Sequence, residues 1–191
     1  MKVIAFNGSA RTQGNTAMLL DIVLDELEAE GIETEVYDLA GKRISGCTAC
    51  YRCYKNKDRR CAVDDDIVNE CIDKMIEADG ILLGSPTYFA DLSAAMKALI
   101  ERSGMVARAN GELFKRKVGA GVVAVRRAGA VHVFNSINYF FFIGQMIVPG
   151  SNYWNLGIGR EPGEVKNDSE GLQTMKTLGQ NMAWLLKKIN D

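Results

Sequence analysis

The sequence predicts an α/β fold in which helices cover both faces of a five-stranded parallel sheet. Short apolar runs typical of buried strands alternate with longer segments of helical periodicity. Parallel strands need crossover connections, and a helix in each connection places layers on both sides of the sheet. The chain has 191 residues, of which 47% are hydrophobic and 25% charged, as in ordinary globular proteins. This length predicts a single domain over residues 1–191, with an insertion at about residues 40–63.

The pattern predicts five strands and five helices in alternation. The predicted strands are residues 3–6, 33–39, 80–84, 117–125 and 146–148. The predicted helices are residues 16–30, 64–76, 93–103, 131–144 and 168–189. Residues 40–63 and 149–167 lack regular periodicity. Because ligands of such sheets bind beyond the carboxyl ends of the strands, the loops after the first, third and fourth strands are the predicted site.

Charge and targeting patterns exclude several classes of function. The 23 Lys and Arg residues nearly balance 24 Asp and Glu residues, so the formal net charge is -1. A surface with this balance offers no general attraction for nucleic acid or for an anionic membrane. No apolar run approaches the roughly 20 residues that span a bilayer. Met1 leads directly into a strand without an apolar signal segment, which predicts a cytoplasmic protein.

The loop after the first strand carries the donors that a phosphate monoester needs. It leaves a strand and enters a helix, so backbone N–H groups and the helix dipole converge on one point. The predicted phosphate ligands are Ser9, Arg11, Gly14, Asn15 and Thr16. The loop matches neither G-x-G-x-x-G nor G-x-x-x-x-G-K-S/T, which disfavours a dinucleotide fingerprint and a nucleotide P-loop. The alternative is an ordinary polar turn with Asn15 or Thr16 as the helix N-cap.

The loop after the third strand combines a proline with two adjacent aromatic residues. It reads Ser85, Pro86, Thr87, Tyr88 and Phe89. Such a turn at the carboxyl end of a strand can flank a flat ring and offer backbone amides to its edge. The alternative is a core turn in which both aromatic side chains pack inward.

Together these motifs resemble the flavodoxin-like NAD(P)H-dependent FMN reductases. The matching residues are Gly8-Ser9-x-Arg11-x-x-Gly14-Asn15-Thr16, Gly84-Ser85-Pro86-Thr87-Tyr88, Met96, Lys97 and Arg102. The resemblance covers residues 1–150 and implies a flavodoxin-like three-layer α/β/α fold with strand order 2-1-3-4-5. It also implies FMN, with the first loop around the phosphate and residues 86–89 against the isoalloxazine. FMN is expected rather than FAD, because the first loop has no pyrophosphate fingerprint.

The third flavin loop implied by the resemblance follows the fourth strand and is usually rich in glycine. Here it contains Arg126, Arg127 and Gly129. A guanidinium near the N1–C2=O edge of the ring would stabilise an anionic reduced flavin. The alternative is that either arginine pairs with a surface acid.

His132 is the only histidine and no Ser/His/acid set accompanies it, so no catalytic acid or base is predicted.

Four of the five cysteines fall in one irregular loop with the spacing Cys47-x2-Cys50-x2-Cys53-x7-Cys61. Clustered cysteines without a signal peptide indicate metal or redox chemistry rather than structural disulfides. Three cysteines at this close spacing favour a 4Fe–4S cluster, whereas zinc sites usually use two distant pairs. Redox-labile thiols and a zinc site are the alternatives. The spacing also resembles the iron–sulfur flavoproteins, a branch of the same group. Cys71 lies on an apolar helix face and is predicted to be core.

Three functions of different classes are compatible with these features. The first is an FMN oxidoreductase that passes electrons between NAD(P)H or a reduced electron carrier and an acceptor. The second is an iron–sulfur flavoprotein that transfers electrons without a small-molecule substrate. The third is a binding or regulatory module that uses the fold without turnover. A homo-oligomer, either a dimer or a tetramer, is expected from the resemblance, because relatives complete the flavin edge with a second subunit. Residues 40–63 and 149–167 are long enough to reach across such an interface.

Overall fold

The computed structural model describes residues 1–190 and contains a parallel sheet of five strands with helices on both faces. The strands are β1 (Lys2–Asn7), β2 (Glu33–Asp38), β3 (Gly80–Pro86), β4 (Val118–Val125) and β5 (Leu156–Ile158). The helices are α1 (Asn15–Ala29), α2 (Arg52–Asn56), α3 (Val68–Glu77), α4 (Ala94–Ala109), α5 (Ala130–Ile143) and α6 (Ser169–Asn190). A short 3-10 helix (Glu164–Asn167) precedes α6. The strand order β2-β1-β3-β4-β5 confirms the predicted fold.

Each face of the sheet packs against its own set of helices. Side chains alternate between the two faces of a strand, so neighbours in β1 enter different cores. Val3 and Ala5 pack with residues of α1 and α6 on one face. Ile4 and Phe6 pack with residues of α3, α4 and α5 on the other. The central strands are therefore buried on both faces, which explains their continuous apolar runs.

The fifth strand lies later in the chain than the prediction placed it. Residues 146–148 contribute an isolated bridge between Ile147 and Val118 instead of a strand. The strand itself is β5, whose residues pair with residues 123–125 of β4. At Gly157 in its centre, an added Cβ would lie 2.7 Å from side-chain atoms of Leu19 and Val165. Periodicity missed this strand because it is only three residues long and a glycine occupies the position that packs against α1.

Three helices also differ from the prediction. Helix α3 begins at Val68, later than the predicted start at residue 64. Helix α4 continues to Ala109, beyond the predicted end at Ser103, and the short helix α2 lies inside the insertion that was predicted to be irregular. Among residues 1–190, no helix combines the length and the apolar character needed to cross a lipid bilayer.

Candidate functional site

A cleft of about 320 Å³ opens at the carboxyl edge of the sheet. It is bordered by residues at or just beyond the carboxyl ends of β1, β3, β4 and β5. The lining residues are Ser9, Ala10, Arg11, Gly14, Asn15, Thr16, Pro86, Thr87, Tyr88, Ala124, Val125, Arg126, Gly159 and Arg160. The structure thus brings together three loops that the sequence analysis singled out and adds a fourth segment after β5.

The loop between β1 and α1, which we call the phosphate loop, is held in a tight turn by its own polar groups. The Oδ1 atom of Asn7 accepts the Ser9 N–H at 3.1 Å, and Ser9 Oγ accepts the Arg11 N–H at 3.0 Å. Gly14 is the N-cap of α1, and within residues 1–190 no side chain caps this helix. The first N–H groups of α1 therefore border the cleft without a capping side chain, an arrangement that suits an anion.

Asn15 has a structural role that the sequence did not indicate. Its Oδ1 accepts the Gly163 N–H at 2.9 Å, and its Nδ2 donates to the Glu161 carbonyl at 3.0 Å. Arg11 reaches the same segment and donates to the Arg160 carbonyl at 3.3 Å. These bonds tie the segment after β5 to the start of α1. Sequence reasoning missed Arg160 because it placed the fifth strand at residues 146–148.

The loop after β3, which we call the aromatic loop, divides between the core and the cleft. The Oη atom of Tyr88 accepts the Ala10 N–H at 3.0 Å, which joins this loop to the phosphate loop. Ser85 is fully buried, and its Oγ accepts a backbone N–H at the N-cap of α4 at 3.0 Å. Phe89 is fully exposed at the tip of the turn. Ser85 thus supports the loop from beneath, while Tyr88 and Thr87 reach the cleft.

The loop after β4 contributes Arg126 to the lining of the cleft. Arg127 and Gly129, both within the described chain, lie outside this lining. Gly129 has a φ of 92° and is the N-cap of α5. A Cβ at this position would lie 3.2 Å from Thr87 Cγ2, so the absence of a side chain leaves room for the aromatic loop.

The cleft has the chemistry of a site for a phosphorylated aromatic ligand. Arg11, Arg126 and Arg160 supply positive charge, and the N-terminus of α1 supplies N–H donors. Thr87 Oγ1 is buried, and in the described part of the chain it has no hydrogen-bond partner. Leaving such a group unpaired costs about 1–3 kcal/mol, so the hydroxyl is suited to a polar atom of a bound ring.

A second site is formed by residues 46–63, which we call the cysteine loop. The five cysteines of the chain are all free thiols. Four of them line one small cavity together with a buried arginine: Cys47, Cys50, Cys53, Cys61 and Arg102. Cys53 also packs with Val68 and Val106, which anchors the loop to α3 and α4. Cys71 is fully buried in the main core, as predicted, and burial raises the pKa of its thiol to about 12.

The sulfur atoms of Cys47 and Cys61 each receive a hydrogen bond. The Ala49 N–H donates to Cys47 Sγ at 3.4 Å, and Arg102 Nε donates to Cys61 Sγ at 3.3 Å. The Cys61 backbone is fixed as well, because its N–H donates to Asn69 Oδ1 at 2.7 Å. These hydrogen bonds fix the positions of two of the four sulfur atoms in the cavity.

The other two thiols differ in their electrostatic environment. Hydrogen bonds from the Arg52 backbone and from the Thr48 side chain hold the pKa of Cys50 below its usual range. Burial raises the pKa of the Cys53 thiol. The cavity therefore contains the exposed Cys50, whose pKa is lowered, and the buried Cys53, whose pKa is raised. A bound metal cation would favour the thiolate form of both.

The backbone of the cysteine loop adopts an unusual conformation. Four of its non-glycine residues have φ between 51° and 63°: Ala49, Tyr51, Lys57 and Arg59. A positive φ costs a non-glycine residue conformational free energy, and such residues often occur where a segment binds a ligand. Within residues 1–190 no three His, Cys, Asp or Glu side chains converge on a single metal ion. Four thiols around one cavity remain compatible with a cluster, which spreads its ligands over several iron atoms.

The fold and the cleft define a flavodoxin-like α/β protein with a ligand site at the carboxyl edge of the sheet. A flavodoxin from the domain Archaea superposes with a TM-score of 0.63 and 19% identity, covering 98% of this chain and 99% of that one. A family model described as NADPH-dependent FMN reductase matches residues 1–161. The chain belongs to this family, a class of FMN-binding electron-transfer oxidoreductases.

Two curated relatives define the branch of the family more closely. An iron-sulfur flavoprotein of Methanocaldococcus jannaschii is 41% identical over 196 residues, covering 99% of this chain and 99% of the relative. An iron-sulfur flavoprotein of Methanosarcina thermophila is 33% identical over 191 residues, covering 99% and 97%. These similarities confirm the resemblance that the phosphate loop, the aromatic loop and the cysteine spacing predicted.

Proposed function

We propose that the cleft binds FMN and that the protein passes electrons between NAD(P)H or a reduced electron carrier and an acceptor. The observation that carries this proposal is the convergence of the phosphate loop, the aromatic loop and Arg126 on one cleft. When bound, FMN supplies the redox chemistry. The residues of the chain bind and orient it, and no side chain is assigned as a catalytic acid or base.

The two ends of the cleft have different tasks in this proposal. At the phosphate end, Arg11 and the first N–H groups of α1 bind the phosphate, while Asn15 holds the wall formed by residues 159–163. At the ring end, Thr87 and Tyr88 lie against the flavin, and Arg126 stabilises negative charge on it. Arg160, which approaches from the segment after β5, adds a further cation to the cleft.

We also propose that the cysteine loop holds a 4Fe–4S cluster through Cys47, Cys50, Cys53 and Cys61. The four thiols line one cavity, and donors already point at two of the sulfur atoms. The relatives described above carry the name iron-sulfur flavoprotein, which supports the same assignment. Such a cluster would supply one-electron chemistry beside the flavin.

A flavin site and a thiol site in one chain also favour a second function, electron transfer without a small-molecule substrate. Anaerobic spectroscopy of the purified holoprotein distinguishes the two. Bleaching of the flavin absorbance by NADH or NADPH under argon supports the enzyme. Bleaching by a reduced protein carrier, but by neither nucleotide, supports the electron-transfer protein.

Replacing Tyr88 with phenylalanine should weaken FMN binding moderately. The variant loses the acceptor for the Ala10 N–H, the bond that joins the aromatic loop to the phosphate loop. Because one hydrogen bond contributes roughly 0.5–1.5 kcal/mol net, the Kd should rise about two- to tenfold. Quenching of FMN fluorescence measures this Kd, and Tyr139→Phe, on the exposed side of α5, is the matched control. An unchanged Kd for Tyr88→Phe would show that this bond does not shape the cleft.

We further propose that the protein is a homo-oligomer that associates through α5. Tyr139, Phe142 and Ile143 expose 67%, 62% and 59% of their surface on this helix. Beside them, an apolar groove of about 610 Å³ between α4 and α5 extends to Cys47. Contiguous exposed apolar surface of this kind marks an interaction site.

Replacing Phe142 with glutamate should therefore shift the protein towards monomers, because association would bury the new charge. Light scattering measures the mass of the particle. Trp184→Glu, an exposed aromatic residue on α6 at the other face of the sheet, should leave the oligomer intact. A wild-type particle with the 21.0 kDa mass of one chain would refute the oligomer.

A further inference from the structure

We infer that Arg102 is a positioning residue for the cysteine site: it closes the base of the cysteine loop and, through Cys61, sets the reduction potential of the cluster. The inference deepens the proposed function and rests on the 4Fe–4S cluster proposed above. It is carried by the hydrogen bonds of one buried guanidinium, which end on the cysteine loop, on Ser45 directly before it and on Asp66 shortly after it.

Arg102 lies on α4 with 1% of its surface exposed, although it carries a full charge. A buried cation is costly unless it is paired and hydrogen-bonded. Its Nη1 forms an ion pair with Oδ2 of Asp66, whose side chain is also buried. Burial disfavours the charge of both groups, but their mutual hydrogen bond raises the pKa of Arg102 and lowers that of Asp66. An arginine guanidinium is not deprotonated in proteins, so this buried group carries its positive charge beside the cysteine loop.

The same guanidinium joins the two ends of the cysteine loop. On one side, Nη1 donates to the carbonyl of Ser45 at 3.2 Å, directly before the loop. On the other, Nη2 donates to the carbonyl of Val63, where the loop ends. A planar guanidinium can serve several acceptors at fixed angles, which the point charge of a lysine cannot do. Arg102 thus determines how closely the two ends approach each other.

A further donor of this side chain points at sulfur. Nε donates to Cys61 Sγ at 3.3 Å. Hydrogen bonds to ligand sulfur atoms and nearby charge are among the terms that set the reduction potential of a cluster. One-electron reduction by an external dye adds one negative charge to the site and breaks no bond. A cationic donor at Cys61 stabilises that added charge, so Arg102 makes the potential more positive.

A second arginine provides a matched control. Arg43 Nη2 pairs with Asp65 Oδ2 at 2.6 Å, next to Asp66 in the sequence, but both side chains are more than half exposed. Exposed ion pairs contribute little to the stability of a protein, and solvent screens their charge. Arg43→Met removes the same charge as Arg102→Met, and it removes no hydrogen bond to a cysteine sulfur.

The experiment is an anaerobic redox titration of the iron-loaded, FMN-containing protein with mediator dyes, followed by EPR. In Arg102→Met, the equilibrium constant for one-electron reduction should fall about tenfold, which is about 59 mV for a one-electron couple. Arg102→Lys, which keeps the charge and loses the planar fork, should give a smaller shift in the same direction. Arg43→Met should keep the wild-type potential. A role limited to holding the loop would not move the potential of the variants that retain iron.

Wild-type potentials in both Arg102 variants at full iron content overturn the inference, as does an equal shift in Arg43→Met. Loss of iron from Arg102→Met while FMN stays bound supports the positioning role. The reduction potential is then measured in Arg102→Lys. Wild-type protein that holds FMN but no iron overturns the proposed cluster and this inference together. Wild-type protein with iron and unshifted variants overturns the inference alone.

Discussion

Replacing Cys53 with serine should remove the iron from anaerobically prepared protein while FMN remains bound. The wild-type protein should contain about four iron atoms per chain, as a 4Fe–4S cluster requires. Cys53 is only 9% exposed and packs in the apolar cluster beneath the loop, so its position cannot easily be taken by another ligand. Iron analysis and the broad visible absorbance of the cluster measure the loss. FMN should remain because the phosphate loop follows a different strand.

The matched control for this variant is Cys71→Ala. Cys71 is a buried thiol of the main core and lies outside the cysteine cavity, so its loss should leave the iron content unchanged. Iron retained in Cys53→Ser would contradict the assignment of this ligand. Anaerobically reconstituted wild-type protein without iron would show that the cysteines are redox-active or vestigial thiols, and that the protein is a plain FMN reductase.

Replacing Arg11 and Asn15 together with alanine should weaken FMN binding by about tenfold to a hundredfold, since a hydrogen bond to a charged group contributes roughly 1.5–3 kcal/mol. The double variant removes a cation from the cleft and also releases the bonds from Asn15 to residues 161 and 163. The far-ultraviolet circular dichroism spectrum should stay unchanged, because both side chains lie at the edge of the sheet. Titration of FMN fluorescence gives the Kd.

Two controls separate a phosphate contact from a general loss of binding. Riboflavin lacks the phosphate, so its affinity should fall much less than that of FMN in the same double variant. Arg127→Ala removes a cation that lies outside the cleft lining and should leave FMN binding unchanged. Equal FMN affinity in the double variant and the wild type would show that the phosphate loop does not bind the phosphate.

The architecture could be predicted because most of its elements are visible within short windows of the chain. β1, β3 and β4 are continuous apolar runs, since each is buried on both faces of the sheet. The helices between them show one apolar face, because they pack on one side only. Of the five strands, only β5 was not predicted, since it is short and contains Gly157 at the position that packs against α1.

The candidate site could be predicted in part, because some of its residues lie in short contiguous segments of the chain. The phosphate loop and the aromatic loop each carry their polar and aromatic residues in one contiguous stretch, and both reach the cleft. Gly159 and Arg160 could not be found in this way, because they enter the cleft only through the position of β5. Ser85 and Phe89 belong to the predicted motif, yet one lies in the core and the other in solvent.

By itself, the sequence determined the layered α/β fold, the loops that form the cleft and the close spacing of three cysteines. These are properties of neighbouring residues, which hydrophobic periodicity and short-range chemistry record directly. Tertiary structure alone decided that Arg126 faces the cleft while Arg127 does not. It also decided that Arg102 points at the Cys61 sulfur. The Arg102 contact joins residues far apart in the chain, and it exists only because α4 packs against the cysteine loop.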